Sequence, residues 1–223
     1  MLLGLCEEIR EAIKKTYIDE NGYVDKGNIT AHAMVLFYGV ISDEKERALC
    51  AKILNELVIE SDYKMMVGIL GAKCILNALS DNGYFETAIK MLENTEYPSY
   101  GYWIKNGATT MHEDWENSFS LNHHMFSDVL AWMYKNLAGI RPILPGFKRF
   151  KVEPKFTQSV KRVSSSYETT YGKIAVSYER EGEAVKLSLE VPKDTTCLLV
   201  LPSQSLELSM GKYEKTINLN TGY

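Results

Sequence analysis

Residues 107–124, GATTMHEDWENSFSLNHH, hold three acids (Glu113, Asp114 and Glu116), Trp115, and three of the chain's four histidines. Carboxylates and imidazoles are the side chains best suited to move protons near neutral pH. Aromatics surround them: Tyr97, Tyr100, Tyr102 and Trp103 upstream, and Phe119 within the stretch. Aromatic faces beside carboxylates suit a sugar, because a pyranose stacks its C–H face on a ring while its hydroxyls need fixed donors and acceptors. Cleaving a glycosidic bond takes two carboxyl groups. One protonates the leaving oxygen, and the other activates water or attacks directly. For any single acid here the plain alternative is a solvated loop carboxylate.

A metal is the rival chemistry. His112-Glu113-x-x-Glu116 is similar to the H-E-x-x-H of zinc proteases, in which two histidines one helical turn apart hold the ion. Here Glu116 stands in place of the second histidine, and the preceding Gly-Ala-Thr-Thr is a poor helix interior. No metal and no cofactor are expected. His123 and His124 fall near the start of a predicted helix, where neighbouring side chains project about 100° apart. Only one of the two is then expected to face a ligand.

The elements that must position these groups come in two kinds. The connection between Leu92 and Ser120 is long and rich in aromatics, which marks an ordered, functional loop rather than a disordered one. Before and after it, up to about residue 140, apolar residues recur at helical spacing. Helices are predicted over 3–16, 29–39, 43–60, 64–79, 84–94 and 121–138, the third opened by Ser42-Asp43-Glu44 and striped by Leu49, Ile53 and Leu57. They alternate between amphipathic and apolar on nearly all sides. An apolar helix needs cover all round and an amphipathic one needs solvent on one side. Two concentric layers satisfy both, which predicts three hairpins of an α/α toroid, about six helices in all. Loops at one end of the inner layer would border its cavity.

After Leu137-Ala138-Gly139, a helix stop, the apolar period falls to two: Ile174, Val176, Tyr178, then Val185, Leu187, Leu189, Val191. Glu181-Gly182 between them reads as a hairpin turn. Strands near 150–154, 159–168, 170–180, 184–191, 195–201, 205–210 and 213–218 predict a small antiparallel β-sandwich. The fold class is therefore α+β with two domains, 1–141 helical and 142–223 β, the boundary lying in 140–148.

Composition bounds the function. The 223 residues are 45% hydrophobic and 24% charged, as a packed globular chain requires. A net charge of −4 argues against a nucleic acid or an anionic membrane as partner. No apolar run is long enough to span a bilayer, and MLLGLCEEIREAIKK turns into a charged helix too early for a signal peptide. Cys6, Cys50, Cys74 and Cys197 form no C-x-x-C pair, and Cys50 and Cys74 lie in apolar helical patterns, which predicts buried, reduced thiols and a cytoplasmic location.

Three runs resemble one family closely. YPSYGYWIKNGATTMHEDWE, SLNHHMFSDVLAWMYKNLAGI and PGFKRFKVEP are similar, in order, to the C-terminal part of bacterial α-L-rhamnosidases, and AHAMVLFYGV, DYKMMVGILGAK and VKLSLEVPKDTTCLLVLP extend the likeness over nearly the whole chain. The resemblance implies an (α/α)6 barrel followed by a β-sandwich, and hydrolysis of terminal α-L-rhamnose with inversion. It puts the water-activating base on Glu113, a sugar-stacking wall on Trp115 and a hydroxyl ligand on His123. Trp103 also joins the sugar site. His112 and Tyr100 stand where tryptophans are usual in the family, so the pocket rim is expected to be more polar. His124 stands where tyrosine is common and is the weaker sugar contact.

One departure is large. The family's general acid lies upstream, in a segment like D-C-P-x-R-x-E-R…G-W-x-G-D, and this sequence has no counterpart. The expectation is a half-barrel plus its sandwich, bearing the general-base half of the site and inactive by itself. Its partners would be a rhamnose-containing glycoside and a second copy or companion chain. The latter would cover apolar seams on the order of 1,000 Å². A non-catalytic carbohydrate- or partner-binding module, or another (α/α)6 sugar enzyme, is the alternative.

Overall fold

The computed structural model describes residues 2–219, which divide into two compact units between Val129 and Leu130. The first unit holds helices α1 (Leu2–Tyr17), α2 (Ile29–Phe37), α3 (Glu44–Glu60), α4 (Ile69–Asp81), α5 (Phe85–Glu93) and α6 (Tyr100–Lys105). A seventh, α7 (Asp128–Trp132), starts at its end and runs into a π-helical turn, Met133–Leu137.

Side-chain caps start α2 and α3. The Asn28 side chain accepts from the Ala31 N–H at 3.0 Å and opens α2, and Asp43 accepts from the Lys45 and Glu46 N–H groups to open α3. Apolar α2 and α4 pack side by side, while amphipathic α3 and α5 back them, so the expected two layers are present. Close approach of α2 and α4 depends on Gly71: a Cβ there would meet Val67 Cβ at 2.6 Å and Thr30 Oγ1 at 2.7 Å. Helix α3 buries Cys50, Ala51, Ile53, Leu54 and Val58, leaving the predicted stripe member Leu49 exposed.

Two helix expectations change. The segment Met65–Gly68 is irregular, with tight turns from Met66 N–H to Lys64 O and Val67 N–H to Met65 O, and α4 begins only at Ile69. The reason is tertiary: the Met65 N–H donates to Pro98 O at 2.8 Å, and Trp115 Nε1 donates to Val67 O at 2.7 Å. The first ties the segment to Pro98, and the second takes up a carbonyl that a helix would offer to the Gly71 N–H. The predicted helix 121–138 is broken into a 3-10 turn at His124–Phe126, then α7 and the π-turn. His123 is held extended (φ −142°, ψ 137°), with its N–H on Met111 O at 2.7 Å, so no helix runs through it. Helix α6, six residues inside the long loop, was too short for periodicity to show. Ser99 caps it, accepting from Tyr102 N–H at 3.0 Å.

The second unit is a sandwich of two four-stranded sheets. One has the order β1 (Ile140–Pro142), β2 (Arg149–Val152), β6 (Thr196–Leu201), β7 (Gln204–Leu208). The other runs β3 (Arg162–Thr169), β4 (Gly172–Glu181), β5 (Ala184–Val191), β8 (Gly211–Asn218). Register pairs Val176 with Leu189 and Tyr178 with Leu187, and these side chains share one core with Phe150, Val152, Cys197 and Leu199. The expectation of a purely antiparallel sandwich is corrected at one place: β2 and β6 are parallel, since the chain crosses to the other sheet for β3–β5 before returning beside β2. No helix among the described residues is long and apolar enough to cross a membrane.

Candidate active site

Within the first unit, the stretch that opens the argument folds as a tight two-stranded ladder. Glu113 N–H donates to Ser120 O at 2.9 Å, His123 N–H to Met111 O at 2.7 Å, and the Thr110 hydroxyl to Leu121 O. The turn at its tip is closed by the Ser118 N–H on Asp114 Oδ1 (3.0 Å) and by Asn117, which takes a left-handed φ of 59°. Asparagine tolerates that conformation better than most residues.

The ladder places two of the predicted groups together. His123 Nδ1 lies 3.7 Å from Glu113 Oε2, and the same oxygen accepts the Ser120 N–H at 3.2 Å. Their side chains are 31% and 34% exposed, so solvent and a ligand can reach both. His124 does not point away as a helix would require. His123 has extended backbone (φ −142°, ψ 137°), and the two imidazoles stack with centroids 5.6 Å apart at 19°.

The other four predicted site residues form a buried aromatic cluster behind this pair. Trp103 and Trp115 lie 4.4 Å apart between centroids, and Phe126 covers Trp115 at 4.4 Å from another direction. Tyr100 packs on both tryptophans at 5.8 and 5.3 Å, its hydroxyl donating to Phe126 O at 2.8 Å, and burial pushes that phenol well above its usual pKa. His112 is tilted against Trp103 at 5.0 Å, with Nδ1 against Asn117 Oδ1. Trp115 is 8% exposed and His112 7%. With Trp103 and Phe126 packed against it the Trp115 ring is mostly covered, and His112 is as deeply buried. The indole N–H of Trp103 is buried with no hydrogen-bond partner among the described residues.

Trp115 still reaches a cavity of about 450 Å³ with one part of its ring. The cavity is bounded by the first turn of α2, the irregular Met65–Gly68, and Tyr97-Pro98. Burial and the adjacent Glu116 carboxylate raise the Tyr97 phenol. His112 and Glu116 thus engage different neighbours, and no group of three or more His, Cys, Asp or Glu that could hold a metal ion occurs among the described residues. Sequence reasoning missed Ser120 and Asn117. The Glu-Asn-Ser run at the loop tip is a turn signature that would have suggested them.

A two-layered α/α unit with a carboxylate–imidazole pair on a loop, followed by a sandwich, defines a six-hairpin type of glycosidase fold. Residues 4–137 match the family model described as bacterial alpha-L-rhamnosidase 6 hairpin glycosidase domain, and residues 139–216 match the bacterial alpha-L-rhamnosidase C-terminal domain. The chain belongs to the bacterial α-L-rhamnosidase six-hairpin glycosidase family. It is 28% identical over 220 residues to an alpha-L-rhamnosidase of Formosa agariphila, covering 90% of this chain and 23% of that protein. To one of Streptomyces avermitilis it is 27% identical over 212 residues, covering 89% and 20%. The fold is shared with the α-L-rhamnosidase structure from Aspergillus terreus (TM-score 0.90, 24% identity, 94% of this chain and 26% of that one). It is shared equally with the Streptomyces avermitilis enzyme solved with L-rhamnose (TM-score 0.88, 24% identity, 94% and 23%). The chain spans about a fifth to a quarter of the length of the curated relatives it matches.

Proposed function

We propose that this chain supplies the general-base half of an inverting glycosidase site that releases terminal α-L-rhamnose. One observation carries the reading: Glu113 is a solvent-reachable carboxylate, held by the Ser120 N–H, with the His123 imidazole 3.7 Å away. A carboxylate fixed in this way keeps one face for water, and the imidazole beside it suits a sugar hydroxyl. His123 is the hydroxyl ligand. Tyr100, Trp103, Trp115 and His112 serve the sugar site from behind, as the packed bed on which the ladder rests. The names of the curated relatives support rhamnose-containing glycosides as substrates.

The proton donor comes from hairpins outside these 223 residues, and the helical part, set within 1–141, is completed by them. In inverting enzymes base and acid stand roughly 6.5–9.5 Å apart to admit water. Exposed apolar side chains support such closure: α1 buries none of the side chains described on it, and Leu5, Ile9 and Leu70 are 52%, 50% and 68% exposed. A companion chain or a second copy covers this face. Cytoplasmic location remains part of the reading, resting on the three buried thiols Cys50, Cys74 and Cys197.

The test is hydrolysis of an aryl α-L-rhamnoside by the chain alone and with a chain bearing the acid-side hairpins. Turnover is expected only with both, with product of inverted configuration by NMR. Efficient turnover by this chain alone, or retained configuration, overturns the proposal. Sugar binding without turnover in the paired chains would assign it to a carbohydrate-binding module instead.

A further inference from the structure

His112 is the one imidazole of the loop that solvent scarcely reaches, and the base reading leaves it without a task. Its ring packs against Trp103, tilted by 44° with centroids 5.0 Å apart, and Trp103 is itself packed between Tyr100, Trp115 and Phe126. From that fixed bed Nδ1 reaches Asn117 Oδ1. A carbonyl oxygen only accepts, so Nδ1 carries the hydrogen and donates. Asn117 is the left-handed residue at the tip of the turn that separates the two sides of the ladder. Those two sides carry Glu113 and Ser120, whose backbone amide holds the Glu113 carboxylate.

The connection is therefore mechanical. His112 precedes Glu113 in the chain, and Asn117 precedes Ser120 by three residues. Joining the first to the second closes the six-residue loop His112–Asn117 at its base and limits where Ser120 can stand relative to Glu113. Without that link the tip beyond the Glu113 N–H to Ser120 O bond is held by the Asp114–Ser118 contact, and that contact is exposed. The His112–Asn117 contact is part-buried, with His112 buried and Asn117 exposed, so water competes with it less than with the fully exposed Asp114–Ser118 contact.

We propose that His112 is a positioning residue: as the Nδ1–H tautomer it anchors Asn117 to the aromatic bed and so fixes the Ser120 amide on the Glu113 carboxylate. The inference rests on the reading of Glu113 as the base. It also adds to that reading, because it assigns the geometry of the base to a residue that touches neither water nor sugar.

The experiment uses the full chain labelled with ¹⁵N in histidine and in the backbone, without sugar. Long-range proton–nitrogen correlation spectra give the tautomer of each imidazole, and amide exchange gives the protection of Ser120. His112 is expected as the Nδ1–H tautomer, and an Nε2–H tautomer would overturn the proposal on the unmodified chain. His112→Phe keeps the ring on Trp103 and removes the donor. Asn117→Gly removes the acceptor while leaving the positive φ free of strain. Each is expected to speed Ser120 exchange roughly tenfold or more, and the double variant no further than either alone, as for two ends of one contact. Unchanged protection in His112→Phe, or additive effects, would reduce His112 to a packing residue. None of these readouts involves sugar or turnover, so they stand or fall apart from the general-base reading.

Discussion

His123 Nδ1 stands 3.7 Å from Glu113 Oε2, brought there by a backbone bond from His123 N–H to Met111 O two residues before the glutamate. The pairing is thus set by the ladder, and it puts a hydrogen-bonding ring beside the carboxylate without burying either group.

A ligand role for His123 predicts an effect on binding more than on chemistry. With the acid-side hairpins present, His123→Ala is expected to weaken L-rhamnose binding about tenfold, the worth of one good hydrogen bond, about 1.4 kcal/mol. Calorimetric titration measures it. An unchanged affinity would remove His123 from the sugar site.

His32 predicts a pH dependence of stability. It is fully buried, its Nε2 accepts the Val24 N–H at 3.0 Å, and Nδ1 faces Cys50 Sγ at 3.3 Å, with the Tyr23 ring edge-on and Asp19 near. Burial lowers its pKa from 6.5 to about 4, against the smaller opposing effects of Cys50 and Asp19. The folded state then keeps His32 neutral where the unfolded chain takes up a proton. Its contribution is complete above about pH 6.5 and is lost as pH falls from there to about 4, amounting to about 3 kcal/mol. Urea unfolding at pH 7, 5 and 4, compared with His32→Gln, should show the parent losing stability faster than the variant. Parallel pH profiles would contradict this.

The thiols should divide by reactivity. Cys6 is exposed, while Cys50, Cys74 and Cys197 are buried, and burial pushes the Cys50 and Cys197 thiols up to about 12. Thiolate is the reactive form. Iodoacetamide at pH 8 is expected to modify Cys6 alone in the folded chain and all four in urea, which peptide mass spectrometry reads directly.

Much of this was legible in the sequence, and the misses share a cause. The sandwich strands followed period two closely because Ile174, Val176 and Tyr178 face one core in alternation. The layered helices followed from which ones are apolar all round. What failed was decided by contacts distant in sequence. Met65–Gly68 has the composition of a helix but is held out of one by Pro98 and Trp115. Trp115 packs against Trp103 and Phe126 and is 8% exposed, a degree of burial that residue type does not announce. Residue types and spacing singled out Glu113 and His123, which the loop brings to 3.7 Å of each other. They could not say which aromatic rings face outward.

The exposed apolar face predicts association. At roughly 25 cal/mol per Å², leaving seams of this kind wet is costly for a marginally stable fold. Light scattering of the purified chain at micromolar concentration is expected to give a species larger than 25.3 kDa. A stable monomer would contradict closure by a second copy, and adding the acid-side hairpins should then yield a heterodimer.

The central claim is that Glu113 activates water, and Glu113→Gln tests it most directly. The substitution keeps the shape of the side chain and an oxygen for the Ser120 N–H, and it removes the basic carboxylate. In the paired chains, kcat for an aryl α-L-rhamnoside is expected to fall about 10²- to 10⁴-fold, the usual contribution of a general base. A fall of less than about tenfold would contradict the claim and move the role to Asp114 or Glu116.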